Sequence, residues 1–151
     1  MRMTWWKIAA IVLLIYAVVG GLLLPVPDKP LLGETIRNLY YHVCMWFAMM
    51  ILFTTSVIHA IKFLRNGELL HDNKSKNYAA VGSFLGILGY ATGAIWATYT
   101  WADPNYPAYA SFGSIMREPK LIGAAIALLI YAAYFILRGS IADMDKRARV
   151  S

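Results

Sequence analysis

The chain has 151 residues, 60% of them hydrophobic and 15% charged, with a formal net charge of +6. A soluble domain carries about 25% charged residues, so this composition argues against a soluble fold, and basic residues confined to the ends of apolar runs argue against nucleic-acid binding. One cysteine, Cys44, excludes an internal disulfide framework and a CxxC metal or redox pair.

The charges are segregated. Uncharged runs lie between Lys7 and Asp28, Arg37 and Lys62, Lys76 and Asp103, and Lys120 and Arg138. Each is long enough to cross a hydrocarbon core ~30 Å thick as a helix of about 20 residues. The expected fold class is therefore all-α. It is a polytopic membrane protein with four transmembrane helices in one domain over 1–151.

Helix 1 is expected over about 5–24, ending at Pro25-Val26-Pro27, where proline removes the backbone donor. Trp5 and Trp6 anchor one membrane face. The run behind MRMTWWK has 20 uncharged residues and no small-residue cleavage pattern, so it reads as a retained helix, not a signal peptide. Helix 2 is expected over about 38–64, opening with the aromatic cluster YYHVCMW. The connection KFLRNGELLHDNKSKN follows, with four bases and two acids. Helix 3 is expected over about 78–99. Its Gly82, Gly86, Gly89 and Gly93 share one stripe, where missing side chains let another helix approach closely; a binding groove is the secondary reading. Helix 4 is expected over about 121–137, followed by a polar cytoplasmic tail, 138–151.

Between helices 3 and 4 lies an aromatic stretch carrying Trp96, Tyr99, Trp101, Tyr106, Tyr109 and Phe112. Tyr and Trp gather at membrane surfaces because each ring has an apolar body and a polar edge. The stretch reads as an interfacial belt or as a shelf for a flat apolar ligand.

Counting Lys and Arg near helix ends gives two, four and four for the N-terminus, the helix 2–3 connection and the tail, and two for each remaining connection. The positive-inside rule then places both termini in the cytoplasm. The start of helix 2 and the aromatic stretch face outward together.

His42 sits at that outer end. An imidazole there ligates haem iron, senses pH or anchors by hydrogen bonding. His59 lies 17 positions further on, about 25 Å by helical rise, too far to share an iron with His42; it reads as an interfacial or packing residue. His71, beside Asp72, reads as solvated. Met45 reads chiefly as packing. Arg37 and Lys120 suit the carboxylates of an amphiphilic ligand or serve as snorkelling anchors. Asp103 and Glu118 make no obvious acid–base pair. With no Ser–His–Asp arrangement, phosphate loop or metal-ligand cluster, nothing supports a stand-alone enzyme.

Three segments carry a resemblance: RNLYYHV (37–43), TGAIWATYTWA (92–102) and EPKLIGAAIALLIYAAYFILRG (118–139). The chain resembles the cytochrome c assembly protein family, tryptophan-rich haem-handling membrane proteins, on the side of the haem exporter protein C (CcmC) branch. The resemblance implies haem b as cofactor, with His42 as an axial ligand of the iron. It implies Trp96, Trp101 and Tyr99 as an aromatic floor, and Arg37 and Lys120 on the propionates. The implied role is haem binding, transport and presentation at the outer face of the bacterial cytoplasmic membrane for cytochrome complex assembly. The implied partners are a periplasmic haem chaperone and other cytochrome c maturation membrane proteins.

The sequence departs from that pattern. ADPNYPAYASFGSIMRE replaces an interval in which the family carries further Trp. Glu118 replaces Asp, and Cys44 replaces Pro. The family's last two helices and their ligand histidine have no counterpart among these 151 residues. A truncated fragment that needs a partner to bind haem, or a non-catalytic packing subunit whose glycine stripe meets partner helices and whose outer aromatics only anchor it, is therefore the alternative reading. A quinone- or lipid-binding membrane protein is a third.

Overall fold

The computed structural model describes residues 4–30, 32–101 and 111–150. Every regular element among them is helical: α1 (Trp5–Leu23), a 3₁₀ turn (Gly33–Ile36), α2 (Arg37–Asn66), α3 (Leu69–Thr100), the short α4 (Phe112–Ile115), α5 (Pro119–Ser140) and the short α6 (Met144–Ala148). Four helical segments are long and apolar enough to cross a membrane: α1, the 3₁₀ turn with α2, α3 and α5. Tyr106, Tyr109 and Asp103 of the aromatic connection lie outside the described residues.

The hairpin of α2 and α3 is the backbone of the fold, and its two helices mesh at matched intervals. On α3, Gly93, Gly89, Gly86 and Gly82 repeat at four, three and four. On α2, His42, Trp46, Met49 and Phe53 repeat at the same intervals in the opposite direction. Each large side chain occupies the space of a missing Cβ. A methyl on Gly82 would stand 2.8 Å from the Phe53 ring, one on Gly86 2.9 Å from Met49 Sδ, and one on Gly89 3.3 Å from Trp46 Nε1. One on Gly93 would overlap the His42 ring. The glycine stripe thus accepts α2 of the same chain, and from the other side Leu128 of α5 reaches Gly86.

The hairpin turns within two residues, Gly67 and Glu68. Gly67 adopts φ 70°, the left-handed conformation that closes a helix at little cost only for glycine, and its N–H bonds the Phe63 carbonyl at 2.7 Å. α3 therefore begins nine residues before the expected Tyr78. The stretch LLHDNKSKN is too charged to read as a membrane span, yet Asp72, Ser75 and Ala79 extend the glycine stripe at the same three–four spacing and are all buried. At 32 residues, α3 is about 48 Å long, well beyond a hydrocarbon core.

Two further expectations are corrected at this end. Arg138, read as part of a polar tail, is 4% exposed and ion-paired with Asp72, itself 5% exposed. Its guanidinium also donates to the Arg147 carbonyl at 3.1 Å, which draws α6 against α5 and buries Ala148. His71, read as solvated, instead shares a hydrogen bond with His59, Nδ1 to Nδ1, at 2.8 Å.

The helix α1 is attached differently. No residue of it is buried, and its last turns are held to the start of α2. The Tyr41 hydroxyl donates to the Val18 carbonyl at 2.8 Å, and Arg37 donates to the carbonyls of Gly21 and Leu24 at 3.1 and 2.6 Å. A guanidinium on the final carbonyls of a helix satisfies acceptors that have no intrahelical partner and opposes the negative end of the helix dipole.

Candidate ligand cleft

Where α2 begins, α3 ends and α5 begins, the helices separate around a cleft of about 440 Å³. That volume lies within the roughly 300–1,000 Å³ of small-molecule and cofactor sites. Beneath the cleft, Ala94, Ala97, Ile115 and Leu121 form a buried cluster that ties α3, α4 and α5 together. α4 is started by Ser111, whose hydroxyl accepts from the Ser114 N–H at 3.2 Å. It drives Ile115 into the cluster at 1% exposure.

Four of the six residues singled out from the sequence line this cleft: His42, Trp96, Trp101 and Lys120. The His42 ring stands edge-on to Trp46 and Trp96, at centroid distances of 6.1 and 6.0 Å. Its Nδ1 lies 2.9 Å from the Gly89 carbonyl oxygen. A carbonyl only accepts, so the proton is on Nδ1. The neutral ring then carries its lone pair on Nε2, which has no partner among the described residues. Buried Trp96 Nε1 has no hydrogen-bond partner among the described residues either. An unpaired buried donor costs about 1–3 kcal/mol.

Lys120 stands directly after Pro119 in the first turn of α5 and places Nζ 5.4 Å from the centre of the Trp101 ring. The first turn of a helix is the positive end of its dipole, where a cation is disfavoured and an anion favoured. The Trp101 face offsets part of that through a cation–π contact. The rim of the cleft is therefore electropositive.

The other two expected residues are elsewhere. Arg37 is committed to the end of α1 and to Glu34, whose carboxylate lies 2.6 Å from its Nε. Tyr99 is 59% exposed and points away; it lies two positions from cleft-lining Ala97, roughly 200° around the helix. Sequence reasoning missed Trp46, one turn from His42 and visible as its i+4 neighbour. Gly89 and Gly93 also line the cleft, so the groove role that the sequence ranked second to helix packing applies to the outer two glycines of the stripe. Among the described residues no group of three or more His, Cys, Asp or Glu is placed to hold a metal ion.

Fold and site together define a helical chain of membrane-spanning character with one aromatic-walled, histidine-bearing cleft at the end of its central hairpin. Comparison with protein-family models, with curated proteins and with solved structures returns no match.

Proposed function

We propose that the cleft binds haem and presents it at the outer face of a bacterial cytoplasmic membrane for cytochrome c maturation. One observation carries this reading: His42 lines an apolar, tryptophan-walled cleft with its Nδ1 proton spent on a backbone carbonyl and its Nε2 lone pair without a partner among the described residues. Histidines that ligate metals typically have this arrangement, with the second nitrogen donating to a carbonyl or carboxylate.

The remaining groups fit the same ligand. Trp46, Trp96 and Trp101 offer apolar walls to a porphyrin. Lys120, at the positive end of α5, suits a propionate. Arg37 drops out of the propionate set because its donors serve α1 and Glu34. Haem, when bound, supplies the iron and its redox chemistry; the chain supplies one axial nitrogen, apolar walls and a cation. A second axial ligand comes from outside the described residues, which accords with transfer to a periplasmic haem chaperone or with a partner in the maturation machinery. The basic residues Lys62, Arg65, Lys74 and Lys76 flank the opposite end of the hairpin, which supports a cytoplasmic position for that end and an outward-facing cleft.

The reading of the chain as a packing subunit loses its main feature, because the glycine stripe is filled by α2. The test is a haem titration of the detergent-purified chain followed by absorbance. A saturable Soret band that is lost or shifted in His42→Ala is the expected result. An identical band in both proteins would remove His42 as the ligand. No band in the wild type, with saturable binding of a quinone instead, would transfer the cleft to that ligand class.

A further inference from the structure

His42 is not the only residue of its helix that grips α3 at this point. Asn38, one turn earlier on the same face, donates from Nδ2 to the Thr92 carbonyl at 2.9 Å. The Thr92 hydroxyl lies 2.8 Å from the Leu88 carbonyl oxygen and 3.1 Å from that of Gly89. Both are pure acceptors, so the hydroxyl proton goes to one of them. The oxygen then faces His42 Nδ1, at 3.3 Å, with only lone pairs to offer. His42 Nδ1 is therefore met by two acceptors, the Gly89 carbonyl and Thr92 Oγ1, and by no donor among the described residues. Gly93 lets the ring come this close, since a methyl there would overlap it.

We infer that Thr92, held by Asn38, is a positioning residue that locks His42 in the Nδ1–H tautomer and so makes Nε2 the nitrogen offered to a ligand in the cleft. The lock is a property of the empty protein and stands on these hydrogen bonds. Its consequence for iron rests on the haem reading. Two acceptors on Nδ1–H push electron density into the ring and strengthen Nε2 as a donor, an effect known to govern metal-bound imidazoles. A threonine hydroxyl bonded to the carbonyl four residues back is common in helices and by itself serves only the backbone. A purely structural Thr92 would leave the imidazole unchanged when altered.

The experiment is ¹⁵N NMR of the full chain labelled at histidine, in detergent at pH 8, beside Thr92→Val, Thr92→Ser and His42→Gln, the last assigning the His42 signals. The wild type is expected to show a protonated Nδ1 and an unprotonated Nε2 at His42. In Thr92→Val the signals should move toward a mixture of tautomers, and in Thr92→Ser they should return. With haem added, Thr92→Val should bind several-fold more weakly and show a more positive midpoint potential, with recovery in Thr92→Ser. An unprotonated Nδ1 in the wild type, or identical His42 signals in wild type and Thr92→Val, overturns the inference. The expected signals in a wild type that binds no haem would leave the lock standing and remove the haem reading alone.

Discussion

The two ends of the α2–α3 hairpin carry similar materials and use them in opposite ways. At the Gly67 end, histidine meets histidine: His59 and His71 share one hydrogen bond, and Tyr78 stacks on His59 at a centroid distance of 5.5 Å. Asp72 meets Arg138, and Ser56 donates to the Ser75 carbonyl at 2.8 Å. A groove of about 250 Å³ remains there, lined largely by apolar side chains. At the His42 end the helices are joined through one histidine nitrogen and one asparagine. The other histidine nitrogen and a lysine are left around a larger cleft, and the N–H of a tryptophan in its wall is buried without a partner among the described residues. Polar groups in an apolar protein are costly unless paired. Where they are paired with each other, they hold helices together; where they are left open to a cavity, a ligand is the natural partner.

The largest effect should come from breaking the closed end. Asp72→Asn leaves the Arg138 guanidinium buried without its counter-charge, which typically destabilises by about 3–5 kcal/mol. A marked fall in the thermal midpoint of the detergent-solubilised protein is expected. Pairing it with Arg138→Met should recover most of the loss, since apolar replacement of a whole buried pair is often neutral or stabilising. If Asp72→Asn melted like the wild type, the two ends would not differ as described.

A smaller change with a diagnostic sign is expected at the open end. Trp96→Phe removes a buried donor without a partner, so the ligand-free protein should be as stable as the wild type or up to about 1 kcal/mol more stable. The same change should leave haem affinity nearly unchanged, because the buried N–H does not open on the cleft. Loss of ligand-free stability would mean that the N–H has a protein partner. Smaller still, Lys120→Met should weaken haem affinity by roughly three- to tenfold, in the range of a charge-assisted contact at a partly exposed site. The difference between the two proteins should shrink as salt is raised. An unchanged titration would reduce Lys120 to an anchor on Trp101.

Much of this arrangement was legible in the sequence, and the gaps have physical causes. The four long helices follow from uncharged runs, because few charged side chains are tolerated in a span. The juxtaposition of His42 with Trp96 and Trp101 follows from counting helices, since even connections return the chain to the same end. The glycine stripe announced a close helix contact but not its partner. The matching four–three–four intervals of His42, Trp46, Met49 and Phe53 were present on helix 2, unread because large residues at helical spacing look like ordinary packing. The first turns of α3 were hidden by their charge. Arg37 and Arg138 show the limit of residue-type reasoning: both read as surface bases, yet one is spent on the carbonyls closing α1 and the other on Asp72. The tautomer of His42 was not legible, because it depends on the Gly89 carbonyl and the Thr92 hydroxyl, 47 and 50 residues away in sequence.

The most direct measurement sets the two ends against each other: parallel haem titrations of the wild type, His42→Ala and the double variant His59→Ala/His71→Ala, each read as oxidised and reduced absorbance spectra. The account predicts that only His42→Ala loses or shifts the Soret band, while the double variant keeps the wild-type spectrum with a lower thermal midpoint. A band that survives in His42→Ala and disappears in the double variant would place the ligand at the Gly67 end and contradict the account.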